Sequence, residues 1–112
     1  MTKEFDHPAS IELEVNVTRD DIENGFRGNA DVCPIALAVN RALKEKYGDD
    51  NYWIEVDGNI YFTIDASKYD QYDHKKETCE FTQRYDAEDY VSPFKTIIKF
   101  FVEEEEDYYY DN

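Results

Sequence analysis

Between Ser10 and Val17 apolar and polar side chains alternate without a break. Ile11, Leu13, Val15 and Val17 share one side, while Glu12, Glu14 and Asn16 share the other. That is the pattern of a half-buried strand with an acidic outer side. A helical period takes over in Asp31–Gly48. Val32, Ile35, Ala36, Val39, Ala42, Leu43 and Tyr47 recur at three- and four-residue steps and fall on one helical face, with Arg41, Lys44 and Lys46 off it. The sequence predicts that Asp31 caps the first turn, that Pro34 sits within it, and that Gly48 stops the helix.

Between these two segments, Thr18 and Asp21 have capping-box spacing, and Gly25 ends a short helix. Asp20 and Asp21 suit the positive end of its dipole. Phe26–Ala30 reads as a loop that turns at Gly28, and Asp49–Asn51 as a polar turn. Tyr52–Val56 and Ile60–Ile64 are strand-like and separated by Asp57-Gly58-Asn59, a tight hairpin signal. Tyr52, Ile54 and Val56 face one way with Ile60, Phe62 and Ile64. Trp53, Glu55, Tyr61 and Thr63 face the other. Asp65–Asp73 reads as a polar, Tyr-rich loop. Asp73–Tyr85 reads as a thin helix with a stripe of His74, Thr78, Phe81 and Tyr85, and 86–92 as an acidic loop. Pro93–Val102 reads as a last strand. Its core side is Phe94, Thr96, Ile98, Phe100 and Val102, against Lys95, Ile97, Lys99 and Phe101.

The expected fold class is α+β. A single domain over 10–102 has a mostly antiparallel four-stranded sheet with a central helix (31–47) packed on one face, in the order β-α-α-β-β-α-β. A loose lead occupies 1–9 and an acidic, Tyr-rich tail 103–112. The second sheet face, bearing Glu12, Glu14, Trp53, Glu55, Tyr61, Lys95 and Lys99, is left wholly or partly wet.

Charge changes this picture. The chain of 112 residues has 27 acidic and 12 basic side chains, a formal net charge of −15. A small domain needs only about 2–8 charges for solubility, and the excess destabilises the compact state by self-repulsion. Ten tyrosines, seven phenylalanines and one tryptophan set it apart from disordered acidic chains, which are poor in aromatics. Such acidity disfavours direct binding to nucleic acid or an anionic membrane and favours basic partners. No apolar run has the length of a membrane span, and no signal pattern opens the sequence. A cytoplasmic location is therefore expected, with Cys33 and Cys79 reduced and buried.

Candidate chemistry is sparse. Asp49-Asp50-Asn51 and the Glu103–Asp107 run lack the spaced calcium-loop pattern. The two histidines and two cysteines lack zinc spacing. Neither a metal nor a cofactor is expected. Cys33 stands near a helix start but among apolar neighbours, which marks a buried small hydrophobe. No Gly-rich phosphate loop is present. The chain is read as a non-enzyme, with a small divalent-metal enzyme as the least favoured alternative.

Val17–Leu43, and within it Cys33–Ala38 (CPIALA), resembles a pattern in small uncharacterised proteins of bacteriophages. The resemblance covers about a quarter of the chain. It implies a phage-type origin and a shared scaffold, with no catalytic residues to carry over. By charge and size, though not by motif, the chain is analogous to phage inhibitors that mimic DNA. Glu12 and Glu14 on one strand side lie about 6.5–7 Å apart, near a phosphate spacing. The leading expectation is therefore an acidic DNA-mimic inhibitor in the basic nucleic-acid groove of a host protein. Its partner-binding residues are Glu12, Glu14, Trp53, Glu55, Asp57, Tyr61, Glu103, Glu104, Glu105, Glu106 and Asp107. A plainly solvated acidic surface stands beside it. The alternative is a protein–protein adaptor that binds through the hairpin aromatics and the last strand. A homodimer is left open.

Overall fold

A computed structural model describes residues 7–48 and 52–103. The elements are β1 (Ser10–Val17), α1 (Arg19–Asn24), α2 (Pro34–Tyr47), β2 (Trp53–Asp57), β3 (Asn59–Ile64), β4 (Ser67–Gln71), α3 (Lys75–Asp86) and β5 (Phe94–Val102). The fold is α+β, but the sheet has five strands rather than four. All are antiparallel, in the order β1-β5-β4-β3-β2.

The added strand is β4, in the stretch the sequence marks as loop. It follows β3 through a two-residue turn, Asp65-Ala66, closed by the pair Ile64 and Ser67. Both turn residues have positive φ, 49° and 69°. This left-handed pair suits the twist of a hairpin but is ordinarily signalled by Asn or Gly. Within β4 only Tyr69 and Gln71 are buried, so its alternation contains a single large apolar residue.

The other elements follow their patterns more closely, although in α3 Thr78, Phe81 and Tyr85 are buried while His74 is the exposed N-cap, at φ 61°. Every inward residue of β1 is buried. Thr18 and Asp21 close a reciprocal capping box, with the Asp21 N–H donating to Thr18 Oγ1 at 3.1 Å and the Thr18 N–H to Asp21 Oδ2 at 2.9 Å. Helix α2 starts later than expected. Its N-cap is Cys33, Pro34 occupies the first turn, and no side chain caps it by hydrogen bond. Asp31 instead uses its N–H on Asn29 Oδ1, at 3.4 Å. Gly48, at φ 97°, ends the helix as expected. The hairpin turns at Gly58, φ 74°, between the paired Asp57 and Asn59.

Helix α2 packs against both β1 and β2, the two edge strands. The sheet therefore curls round the helix, with the core on the concave side. Ile35, Val39 and Leu43 of α2 are buried there with Leu13, Val15, Ile60, Phe62, Ile98 and Phe100. Each such side chain contributes about 1.5–3 kcal/mol of burial energy. Phe62 lies between Tyr69, stacked at 5.3 Å, and Phe100, edge-on at 4.7 Å.

The loop before α2 is pinned to α3. Arg27 Nε donates to the Tyr85 carbonyl at 2.9 Å and the Gly28 N–H to Asp86 Oδ1 at 3.0 Å. The Tyr85 hydroxyl donates to the Gly25 carbonyl at 2.8 Å. Residues 8 and 9 already belong to the sheet end. The Ala9 carbonyl accepts the Val102 N–H at 3.0 Å, and the Pro8 carbonyl accepts the Tyr69 hydroxyl at 2.6 Å.

Candidate interaction surface

Strand alternation that buries one side of the sheet turns the other side out. This convex face carries Glu12 and Glu14 from β1, and Lys95, Ile97, Lys99 and Phe101 from β5. From β4 come Lys68 and Asp70, from β3 Tyr61 and Thr63, and from β2 Trp53, Glu55 and Asp57. The sequence-predicted residues among these do share one face.

They do not form one cluster. Glu12 and Glu14 lie on one edge strand, and Trp53, Glu55 and Asp57 on the opposite edge strand, with β5, β4 and β3 between. Lysines break up the carboxylates. Lys99 stands opposite Glu12, and Lys95 Nζ lies 3.6 Å from Glu14 Oε2. Lys68 Nζ lies 4.7 Å from the Tyr61 ring centroid. Asp70 accepts from Asn59 Nδ2 at 2.9 Å. Trp53, Glu55, Asp57 and Tyr61 come together on β2 and β3, with Glu55 directly opposite Tyr61. Glu103 is exposed just beyond β5, its N–H donating to the Lys68 carbonyl at 2.7 Å. Glu104, Glu105, Glu106 and Asp107 lie outside the described residues, as does the Asp49–Asn51 turn.

Apolar exposure is the stronger feature of this side. Trp53 is 68% exposed, Tyr72 61%, Ile97 57% and Phe101 40%. Tyr72 and Phe101 meet edge to face at 4.9 Å. Tyr72 was missed by sequence reasoning because β4 was missed. The alternation of Lys68, Asp70 and Tyr72 against Ser67, Tyr69 and Gln71 was the available signal.

Other candidate chemistry is muted. Among the described residues no three His, Cys, Asp or Glu side chains gather as a metal site. Cys33 is buried, Cys79 half-buried, and neither is bridged. Burial pushes the Cys33 thiol above its usual range, and the amides of Ala36 and Ile35 at the helix start only partly oppose it. That favours the thiol over the nucleophilic thiolate. No described helix is long and apolar enough to cross a membrane.

No family model matches the chain, and neither the curated proteins nor the solved structures searched contain a match.

Proposed function

We propose that this chain is a non-catalytic binding protein that docks a basic protein partner on the convex face of its sheet. The observation that carries the reading is the exposure of Trp53, Tyr72, Ile97 and Phe101 on a rigid, hydrogen-bonded sheet. Large side chains held out to water at low entropic cost are the usual anchors of an interface. The formal charge of −15 steers basic partners towards it and repels nucleic acid and anionic lipid. No cofactor or metal is needed. The likeness to small bacteriophage proteins supports a host protein as the partner and the host cytoplasm as the place of action.

A second reading has its own support in that charge: an acidic inhibitor that imitates DNA in the partner's nucleic-acid groove. It makes Glu12, Glu14, Glu55, Asp57 and the Glu103–Asp107 run the contacts, with Trp53 and Tyr61 in the place of bases. The two readings divide cleanly in one experiment. Host lysate is passed over wild-type, Trp53→Ala and Glu12→Gln/Glu14→Gln proteins, and affinity for the retained partner is measured against salt. Adaptor-type docking predicts loss with Trp53→Ala and little change with the glutamine pair. Mimicry predicts loss with the glutamine pair, and a fall of orders of magnitude between about 50 and 200 mM salt. Retention of the partner by all three proteins, independent of salt, overturns both. Calorimetric binding of magnesium, manganese or calcium revives the divalent-metal enzyme.

A further inference from the structure

Strand β5 has nine residues, but its neighbour β4 covers only part of it. Pairing with β4 runs over Phe100–Val102. The Lys99 carbonyl then accepts the Tyr72 N–H at 2.8 Å, and the Lys99 N–H donates to Asp73 Oδ1 at 2.9 Å. Beyond that point the chain leaves the sheet for α3.

The direction of the remaining backbone groups follows from these bonds. Lys99 and Glu103 point towards β4, whereas Val102 points to Ala9 on the β1 side. Successive residues of a strand alternate in this respect. Lys95 and Ile97 therefore turn their N–H and C=O groups away from β1, to the side that β4 has vacated. Among the described residues, none takes up these four groups. An unpaired strand edge is a template for another strand.

The vacated lane has a floor. A groove of about 430 Å³ lies between α3 and β5, lined by Phe81 and Phe94, with Tyr90 beside them. Glu77 and Glu80 stand on it, with Arg84 as the single base of the lining. On the outer side the exposed Ile97 and Tyr72 flank the same edge. A strand laid here would send alternate side chains into the groove and onto those two residues.

We propose that the Lys95–Ile97 edge receives an extended segment of the partner protein as an added strand. The segment places one large apolar side chain in the groove, with lysine or arginine two positions to either side. This deepens the binding reading above and rests on it. The basic character follows from Glu80, from Glu77, whose Oε1 also meets His74 Nδ1 at 2.7 Å, and from the overall charge. A second copy of this chain, at −15, is repelled, and the tail 103–112 carries no base to offer those glutamates. Main-chain pairing supplies affinity in such complexes, and the side-chain pocket supplies selectivity.

The test uses the full chain and two capped peptides, one with the core Lys-Val-Phe-Val-Lys and one with lysine replaced by glutamate. Binding of the lysine peptide slows amide exchange at Lys95 and Ile97 by at least about tenfold, while Lys99, already paired, changes little. Glu77→Gln/Glu80→Gln weakens it by about tenfold, the scale of one charge-assisted contact. Ile97→Pro removes an edge N–H and abolishes binding, and the exchange readout on the wild-type chain stands independently of that variant. The proposal is overturned by binding that leaves both amides unprotected, by equal binding of the glutamate peptide, or by failure of the lysine peptide to bind. A peptide-free dimer that already protects Lys95 and Ile97 also overturns it. If instead the partner is captured in a Trp53-dependent way that ignores Ile97→Pro, this inference falls and the broader binding reading stands.

Discussion

Arg41 grips Asp21 with both arms of its guanidinium, Nη1 donating to Oδ1 at 3.0 Å and Nη2 to Oδ2 at 2.7 Å. Nη2 also donates to the Asn16 carbonyl at 2.8 Å. One residue of α2 thus ties together β1 and α1. Burial alone would raise the Asp21 carboxyl, but the Arg41 hydrogen bond, the Thr18 amide and the Arg41 charge outweigh it and hold it below its ordinary 3.8. A carboxyl lowered on folding stabilises the fold above its unfolded value, and that contribution disappears as pH falls through the folded value. Asp21→Asn is expected to lose about 2 kcal/mol at neutral pH. The gap from wild type should narrow below about pH 4, which urea unfolding at several pH values checks.

Gly25 is required for space and not for its dihedral angles. Its φ is −77°, open to any residue, but a Cβ there would lie 2.7 Å from Pro34 Cδ and 2.8 Å from Pro34 N. Neither atom is the end of a flexible side chain. Gly25→Ala should cost about 2–3 kcal/mol, read as a lower urea midpoint with an unchanged slope.

Ala66 presents the opposite case. It holds φ 69° in the β3–β4 turn, where a Cβ costs roughly 1–2 kcal/mol. Ala66→Gly should raise stability by about 0.5–1 kcal/mol, the remainder being offset by the freer unfolded chain. Thermal unfolding tests this.

Gln71 is 1% exposed. Its Oε1 accepts the Ile60 N–H at 3.0 Å, and its Nε2 donates to the Asp73 carbonyl and to Thr78 Oγ1, both at 2.9 Å. Gln71→Leu keeps the volume but strips a partner from the buried Ile60 N–H and Thr78 hydroxyl and from the half-buried Asp73 carbonyl. A loss of about 2–3 kcal/mol is expected, with faster amide exchange at Ile60.

For the thiols, Cys33 is buried and shifted upwards, while Cys79 is half-buried. Under native conditions a disulfide reagent should label Cys79 first. Cys33 should react only as the fold opens, so that its rate tracks denaturant.

Much of the scaffold was legible from side-chain period. The alternation from Ile11 to Val17, the stripe on α2 from Ile35 to Tyr47, the Thr18–Asp21 box and the Gly58 hairpin needed only local rules, and each is in place. What escaped depended on contacts distant in sequence. Strand β4 holds one large inward apolar side chain, and its turn uses Asp65-Ala66 where local rules look for Gly or Asn. Asp31 has the chemistry of a cap but is held to Asn29. Arg41 reads as a solvent-side residue of its helix, and nothing local says that Asp21 waits opposite. For the interaction surface, alternation placed the right residues outward, but strand order was invisible, so Glu12 and Glu14 could not be known to lie at the far edge from Trp53.

The hydrogen bond between Ala9 and Val102 brings the two ends of the folded core side by side on neighbouring strands. A circular permutant that joins these ends by a short linker, and opens the chain at the exposed Gly58 turn instead, should keep the same sheet. By the same geometry this unit can be spliced into a surface loop of a carrier protein without stretching either connection.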